Sequence, residues 1–194
     1  MRVEEEPVPE GSPVQAVPDE LREQIERAAQ GDTLSFQRLF ERYHDRVFRY
    51  AYLRVGRVDE ANDLVQDVFL SVWRALPSFR YEHEGSFPAW LFRIASRRVG
   101  DGIRQRIRHH ALPLEDAPEG HVEFEGLAVS RRLLVEGLAR LPERQREVLV
   151  LRFVVGLPTK QIAHSIGKTE AAVTALQMRG LASLRRYIGR DDAS

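Results

Sequence analysis

Leu157 to Arg186 carries the most specific pattern of side chains in this 194-residue chain. Ala163, Gly167 and Val173 stand at the spacing of a helix-turn-helix: a small residue where two helices touch, a glycine at the turn, and a branched apolar residue beneath the second helix. The pattern predicts short helices over 158–165 and 169–187, separated by Ile166, Gly167 and Lys168, with Ile162, Ile166 and Leu176 completing a small core and Thr169 as the cap. With Val173, Leu176, Gly180 and Leu184 turned inward, ~100° per residue places Ala171, Thr174, Ala175 and Met178 on the outer face, beside Arg179 and Arg185. Such a face suits a major groove, through methyl and hydroxyl contacts to base edges and guanidinium contacts to guanine or phosphate. A helical hairpin packed for stability alone is the plainer alternative, but a solvated face rarely carries so many small and apolar side chains.

A second constellation is basic. A helix is expected from Ser86, with Pro88 in its first turn, toward Arg106; Gly100 and Gly102 weaken its far end by about 1 kcal/mol each. On a continuous helix Arg93, Arg97, Arg104 and Arg108 fall within about 60° of one another, with Arg98 and Arg106 to the sides. Just upstream lie Phe79, Arg80, Tyr81, Phe87 and Trp90, and this interleaving of aromatic and basic groups binds single-stranded bases by stacking and phosphate charge. Phe87 and Trp90 serve equally well as core, which leaves Tyr81 the better stacking candidate. The third constellation, Asp59, Glu60, Asp63, Gln66 and Asp67, makes one helix face acidic; taken alone it reads as a solvated surface.

The elements that must position these groups are all helical. Residues 1–17, rich in Pro and Glu, read as a disordered acidic extension. Asp19 can cap a helix ending at Gln30 and Gly31; a stripe of Phe36, Leu39, Phe40, Tyr43, Val47, Tyr50 and Ala51 predicts a second over 35–55, and a third runs from Asp59 to just before Pro77. Over 109–126 the periodicity vanishes among Pro113, Pro118 and five carboxylates (Glu115, Asp116, Glu119, Glu123 and Glu125), the signature of an acidic linker. Helical spacing is expected to resume at Leu127. No period-two alternation is long enough for a sheet, so the expected fold is all-α, with helical domains over 18–108 and 127–190.

Composition narrows the function. Cysteine is absent, which removes disulfides, thiolate metal sites and cysteine nucleophiles. The six histidines show no metal-ligand spacing, and there is no phosphate-cradling glycine loop or recognisable catalytic triad, so neither metal, cofactor nor enzymatic activity is expected. Basic and acidic residues balance at 29 each, so any nucleic-acid signal lies in their segregation along the chain. No apolar run approaches the ~20 residues of a membrane span, and the acidic start is the opposite of a secretory signal, which implies a cytoplasmic protein without membrane insertion.

Taken together, these segments resemble an RNA polymerase sigma factor of the extracytoplasmic-function (ECF) class. DEANDLVQDVFLSVWRALPSF, Asp59 to Phe79, is similar to the family's polymerase-binding helix. SFPAWLFRIASRRVGDGIRQ, Ser86 to Gln105, is similar to its promoter-melting segment, and Leu141 to Arg186 to its minus-thirty-five domain. The resemblance implies a non-enzymatic initiation subunit whose partners are core RNA polymerase and promoter DNA. Asp59, Glu60, Asp63, Gln66 and Asp67 would dock on core polymerase. Arg80, Tyr81, Ser86, Phe87, Trp90, Arg93, Arg97, Arg98, Asp101 and Arg104 would serve the minus-ten element. Lys160, Lys168, Ala171, Thr174, Ala175, Met178, Arg179 and Arg185 would serve the minus-thirty-five element. An anti-sigma partner is common in the family, though no residue here encodes its identity. Arg98 and Gly102 stand where many relatives have Asn and Tyr, and Thr174, Ala175 and Ala182 where many are basic. The competing reading is a helix-turn-helix regulator that binds duplex DNA without polymerase; it would need a dimerisation or ligand-sensing domain in the first half of the chain.

Overall fold

The computed structural model describes residues 16–83, 85–108, 121–124 and 127–191. The acidic extension up to residue 15, and Glu115, Asp116, Glu119 and Glu125 of the linker, lie outside the described residues.

Four helices make the first unit: α1 (Ala16–Ala29), α2 (Thr33–Val55), α3 (Val58–Ala75) and α4 (Ser86–Arg108). Asp19 is the fourth residue of α1 rather than its cap, so the helix begins earlier than its capping pattern suggests. The clearer cap is Asp32, whose carboxylate accepts from the Leu34 backbone N–H at 3.0 Å and from Ser35 Oγ at 2.7 Å. The predicted stripe of α2 is buried at Leu39, Tyr43, Val47, Tyr50 and Ala51, and it packs on α1 and α3. Edge-on ring contacts between Phe36 and Trp73, 4.8 Å between centroids, and tilted contacts between Phe40 and Phe69, 4.6 Å, fasten α2 to α3. A single 3-10 turn, Leu76–Ser78, ends this run. α4 passes through Gly100 and Gly102 without a break. Gly102 faces α3 so closely that a Cβ there would stand 3.0 Å from a Leu64 methyl, which accounts for a residue of poor helix propensity at that point.

Between the helical units, β1 (His121–Phe124) pairs antiparallel with β2 (Leu127–Ser130), Phe124 opposite Leu127. This corrects the expectation that 109–126 is patternless and that helix resumes at Leu127. Four residues of alternation are too short to distinguish by periodicity, and the two residues between the strands are the commonest hairpin connection.

The second unit comprises α5 (Arg131–Ala139), α6 (Glu143–Leu149), α7 (Thr159–Ile166) and α8 (Glu170–Asp191). What reads in sequence as one periodic stretch is divided at Pro142, the residue immediately before α6. α6 runs on into a π-helical turn, Val150–Val154, in which the Val155 N–H bonds to Val150 O at 3.0 Å. Gly167, at φ 64°, supplies the left-handed residue between α7 and α8. The two units pack on each other, α4 against α7 and α2 against α5 and the π turn, so the apolar core is continuous across them.

Candidate nucleic-acid interface

The helix-turn-helix is built as its spacing predicts. Thr169 Oγ1 accepts from the Ala172 N–H at 3.2 Å and so caps α8. Val173, Gly180 and Leu184 are buried and Leu176 half-buried, while Ala171, Thr174, Ala175, Arg179 and Arg185 are exposed. Met178 is 67% exposed, a large apolar side chain held in water on the outer face. Lys160 near the start of α7 and Lys168 in the turn are exposed beside it. All eight residues expected to meet duplex DNA are therefore accessible.

The loop preceding α4 is organised by Ser86. Its hydroxyl donates to His83 O at 2.6 Å and accepts from the backbone N–H groups of Glu82 and His83, at 3.3 and 3.4 Å. Arg80 is exposed, donating to Phe79 O at 3.2 Å, and Tyr81 is half-buried. Phe87 departs from the expected contact set. It is 1% exposed, enclosed by Tyr43, Phe79 and Trp90 with centroids 5.3 to 5.8 Å away, so its work is to hold the base of the loop. Trp90 packs on Phe79 at 4.7 Å but is only half-buried, keeping part of its indole available. Along α4, Arg93, Arg97, Arg98, Asp101 and Arg104 are exposed, and Arg104 donates to Asp101 at 2.5 Å.

On α3, Asp59, Asp63, Gln66 and Asp67 are exposed and Glu60 half-buried, opposite the buried row Ala61, Leu64, Val65, Val68 and Phe69. Leu70, 53% exposed, continues this face one turn beyond Asp67. Sequence reading missed it because an exposed leucine on an amphipathic helix looks like one more core position.

Sequence reading also missed a polar cluster where the two units meet. Arg54 on α2 and Glu147 on α6 are each 1% exposed and pair at 3.2 Å. Tyr50 donates to Glu147 at 3.2 Å, Arg54 donates to Tyr50 at 2.7 Å and to Glu143 at 3.0 Å, and Arg144 donates to Glu147 at 2.8 Å. Ser96 of α4 also donates to Glu147. Burial pushes the Glu147 carboxyl up, but the charge of Arg54 and the bonds from Ser96 and Arg144 outweigh it and hold the group below the usual range. Burial likewise raises Tyr50. For Arg54 burial disfavours the charge, yet Tyr50, Glu147 and Glu143 more than offset that, so the guanidinium stays ionised. The available signal was a charged side chain on the apolar face of each helix: Arg54 four residues after Tyr50, and Glu147 beside Val148.

Two grooves border this junction. One of 660 Å³ separates the loop from α7 and is lined by Arg80, His83, Trp90, Lys160 and His164 among others. Another of 310 Å³ gathers Arg93, Arg97, Arg104 and Arg144 around Glu147. Among the described residues no group of histidines and carboxylates could hold a metal ion, and no helix is long and apolar enough to cross a membrane.

Comparison with known proteins agrees with this layout. Residues 39–109 match the model for Sigma-70 region 2 and residues 137–186 that for Sigma-70, region 4. The ECF RNA polymerase sigma factor BldN of Streptomyces coelicolor is 36% identical over 180 residues, covering 88% of this chain and 67% of BldN. SigD of Mycobacterium tuberculosis, another ECF RNA polymerase sigma factor, is 35% identical, covering 84% of this chain and 82% of SigD. In fold, the chain is similar to CnrH solved in complex with the cytosolic domain of CnrY, with a TM-score of 0.67 and 24% identity over 88% of this chain and 97% of that one. These likenesses set aside the reading of a regulator that acts without polymerase. With both regions matched in order and ECF relatives aligned along most of its length, the chain belongs to the ECF sigma factors of the sigma-70 family, non-enzymatic subunits that direct RNA polymerase to promoters.

Proposed function

We propose a division of labour within that role. The acidic face of α3 docks on core polymerase, where complementary charge sets register and association rate. The minus-thirty-five element is read by α8, with Thr174, Ala175 and Met178 on base edges and Arg179, Arg185, Lys160 and Lys168 on guanine or phosphate. The loop before α4 captures an extruded base of the minus-ten element between Tyr81 and Trp90, while Arg93, Arg97, Arg98 and Arg104 track the displaced strand. Unstacking a base costs a few kcal/mol, which stacking and guanidinium–phosphate contacts offset without nucleotide hydrolysis. Phe87 supports this site from within the core. The boundaries 18–108 and 127–190 follow these duties, and the acidic stretch 109–126 lies along the positively charged path of the nascent RNA. The protein works in the cytoplasm. A solved relative, the sigma factor RpoE of Bartonella quintana, is in complex with the anti-sigma factor NepR, and we propose a partner of that kind here.

The observation that supports this reading most is the outward Met178, with Thr174, Ala175 and Arg179, on a helix seated by a complete helix-turn-helix. Its test is open-complex formation with core polymerase on genomic promoter fragments, using 2-aminopurine fluorescence in the minus-ten region. Trp90→Ala should bind the promoter with polymerase but open it at least tenfold less. Opening that is unaffected by Trp90→Ala and by Arg97→Ala would overturn the minus-ten assignment.

A further inference from the structure

We infer that the hollow between α4, α6 and the α7–α8 turn is a binding site for a compact oligophosphate: a pyrophosphate group, either inorganic or at the end of a nucleotide. Arg93, Arg97 and Arg104 line it from α4, Arg144 from α6 and Gly167 from the turn. On α4, steps of four and seven residues put the three guanidinium groups in one row. The site stands independently of the promoter-reading roles proposed above.

The positive charge of this hollow is not balanced from within. Arg104 donates to Asp101, and Arg144 donates to Glu147 at 2.8 Å. Arg93 and Arg97 are exposed and have neither a hydrogen-bond nor an ion-pair partner among the described residues. Glu147, which also lines the hollow, cannot serve them. One of its oxygens accepts from Tyr50 and Ser96, the other from Arg144, and Arg54 neutralises its charge. Glu143 is bound by Arg54 in turn. Like charges one helical turn apart repel each other, so two arginines facing a common hollow gain from an anion seated between them. Each guanidinium fork matches a pair of phosphate oxygens, so two forks suit a ligand with two phosphoryl groups.

Gly100 keeps the hollow open. It lies between Arg97 and Arg104 in the same row and is buried. A Cβ there would meet only the Arg104 guanidinium nitrogens, at 3.5 and 4.0 Å, which are ordinary contact distances. Packing therefore does not demand glycine here, as the Leu64 methyl does at Gly102, and a helix interior disfavours it. Bare backbone is what a ligand held among the arginines requires. The volume of 310 Å³ stands at the small end of the range for ligand sites, about 300–1,000 Å³, which suits a pyrophosphate group. Walls from three elements favour an anion that ends inside over a strand that must pass through.

Calorimetric titration of the full chain with sodium pyrophosphate, in magnesium-free buffer, should show saturable binding, with orthophosphate and sulfate at least tenfold weaker. Arg93→Ala combined with Arg97→Ala removes two exposed side chains and should weaken pyrophosphate at least tenfold. Arg38→Ala, which removes an exposed arginine of α2, should change it by less than twofold. Gly100→Leu keeps every arginine but fills the hollow, and it should weaken binding at least tenfold with the helical circular dichroism intact. Should that variant lose its helical signal, the double arginine variant decides alone. Absence of saturable binding, or binding that survives both changes, would overturn the site. So would a single-stranded oligonucleotide that binds the arginine row of the free chain where pyrophosphate does not. A nucleoside diphosphate that binds more tightly than pyrophosphate supports the site with a nucleotide as its ligand, and one that binds less tightly supports it with an inorganic oligophosphate.

Discussion

At the scale of single residues, duplex contacts divide by what they touch. Arg179 is exposed on the outer face of α8, its Nε donating to Ala175 O at 3.1 Å. Arg179→Ala should weaken promoter binding by about 1–3 kcal/mol and relax discrimination at one base position, read by competition with single-base promoter variants. Lys168 sits in the turn, where phosphate is the natural partner. Lys168→Ala should weaken binding evenly across sequences and lower the salt slope by about 1, read by titration at several salt concentrations. The buried carboxylate of Glu147 gives a pH dependence. Its folded pKa lies below the ordinary glutamate value of about 4.3, so the stabilisation is complete above that pH and is lost as pH falls through the folded value. Breaking a buried pair costs about 3–5 kcal/mol. Denaturant unfolding should therefore show Glu147→Gln markedly less stable at pH 7, with the gap to the parent narrowing steadily below about pH 4.

At the scale of elements, α3 and α8 show what was legible in sequence. Both carry a continuous apolar row opposite a polar one, so the inward and outward faces followed from helical geometry, and the cap at Thr169 and the turn at Gly167 stood where their chemistry requires. The ribbon of β1 and β2 was not legible, because four residues of alternation carry no usable period. Nor was the division at Pro142, where two helices share one uninterrupted hydrophobic rhythm. Leu70 was hidden for a different reason: its exposure depends on which helices neighbour α3, and that is a tertiary fact. As the apolar centre of an acidic face, it should contribute more to polymerase docking than any single carboxylate beside it. Leu70→Glu should leave the helical circular dichroism intact and cut retention on immobilised core polymerase at least tenfold, whereas Glu60→Gln should change it by less than threefold.

At the scale of the whole molecule, the first and second helical units were legible as separate periodic regions, but their packing on each other was not. Arg46, Arg54, Glu147 and Ser165 look like surface residues until both units are in place, since each has one partner that lies 76 or more positions away along the chain. The tether between the units carries five carboxylates over 109–126. Changing Glu115, Asp116, Glu119, Glu123 and Glu125 to lysine should leave promoter binding by the holoenzyme within about threefold. It should slow the first full-length transcripts by more than tenfold in a run-off reaction, and an unchanged run-off would remove the linker from the RNA path.

The π turn at Val150–Val154 has a consequence for how the second unit can vary. Its wider coil accommodates one more residue than a regular helix would over the same length. Removing any single residue there relaxes the backbone to ordinary winding and leaves the helix beyond in phase, whereas a deletion in the regular turns of α6 swings everything downstream by about 100°. The recognition helix would keep its fold, its cap and its side chains, yet aim them past the groove.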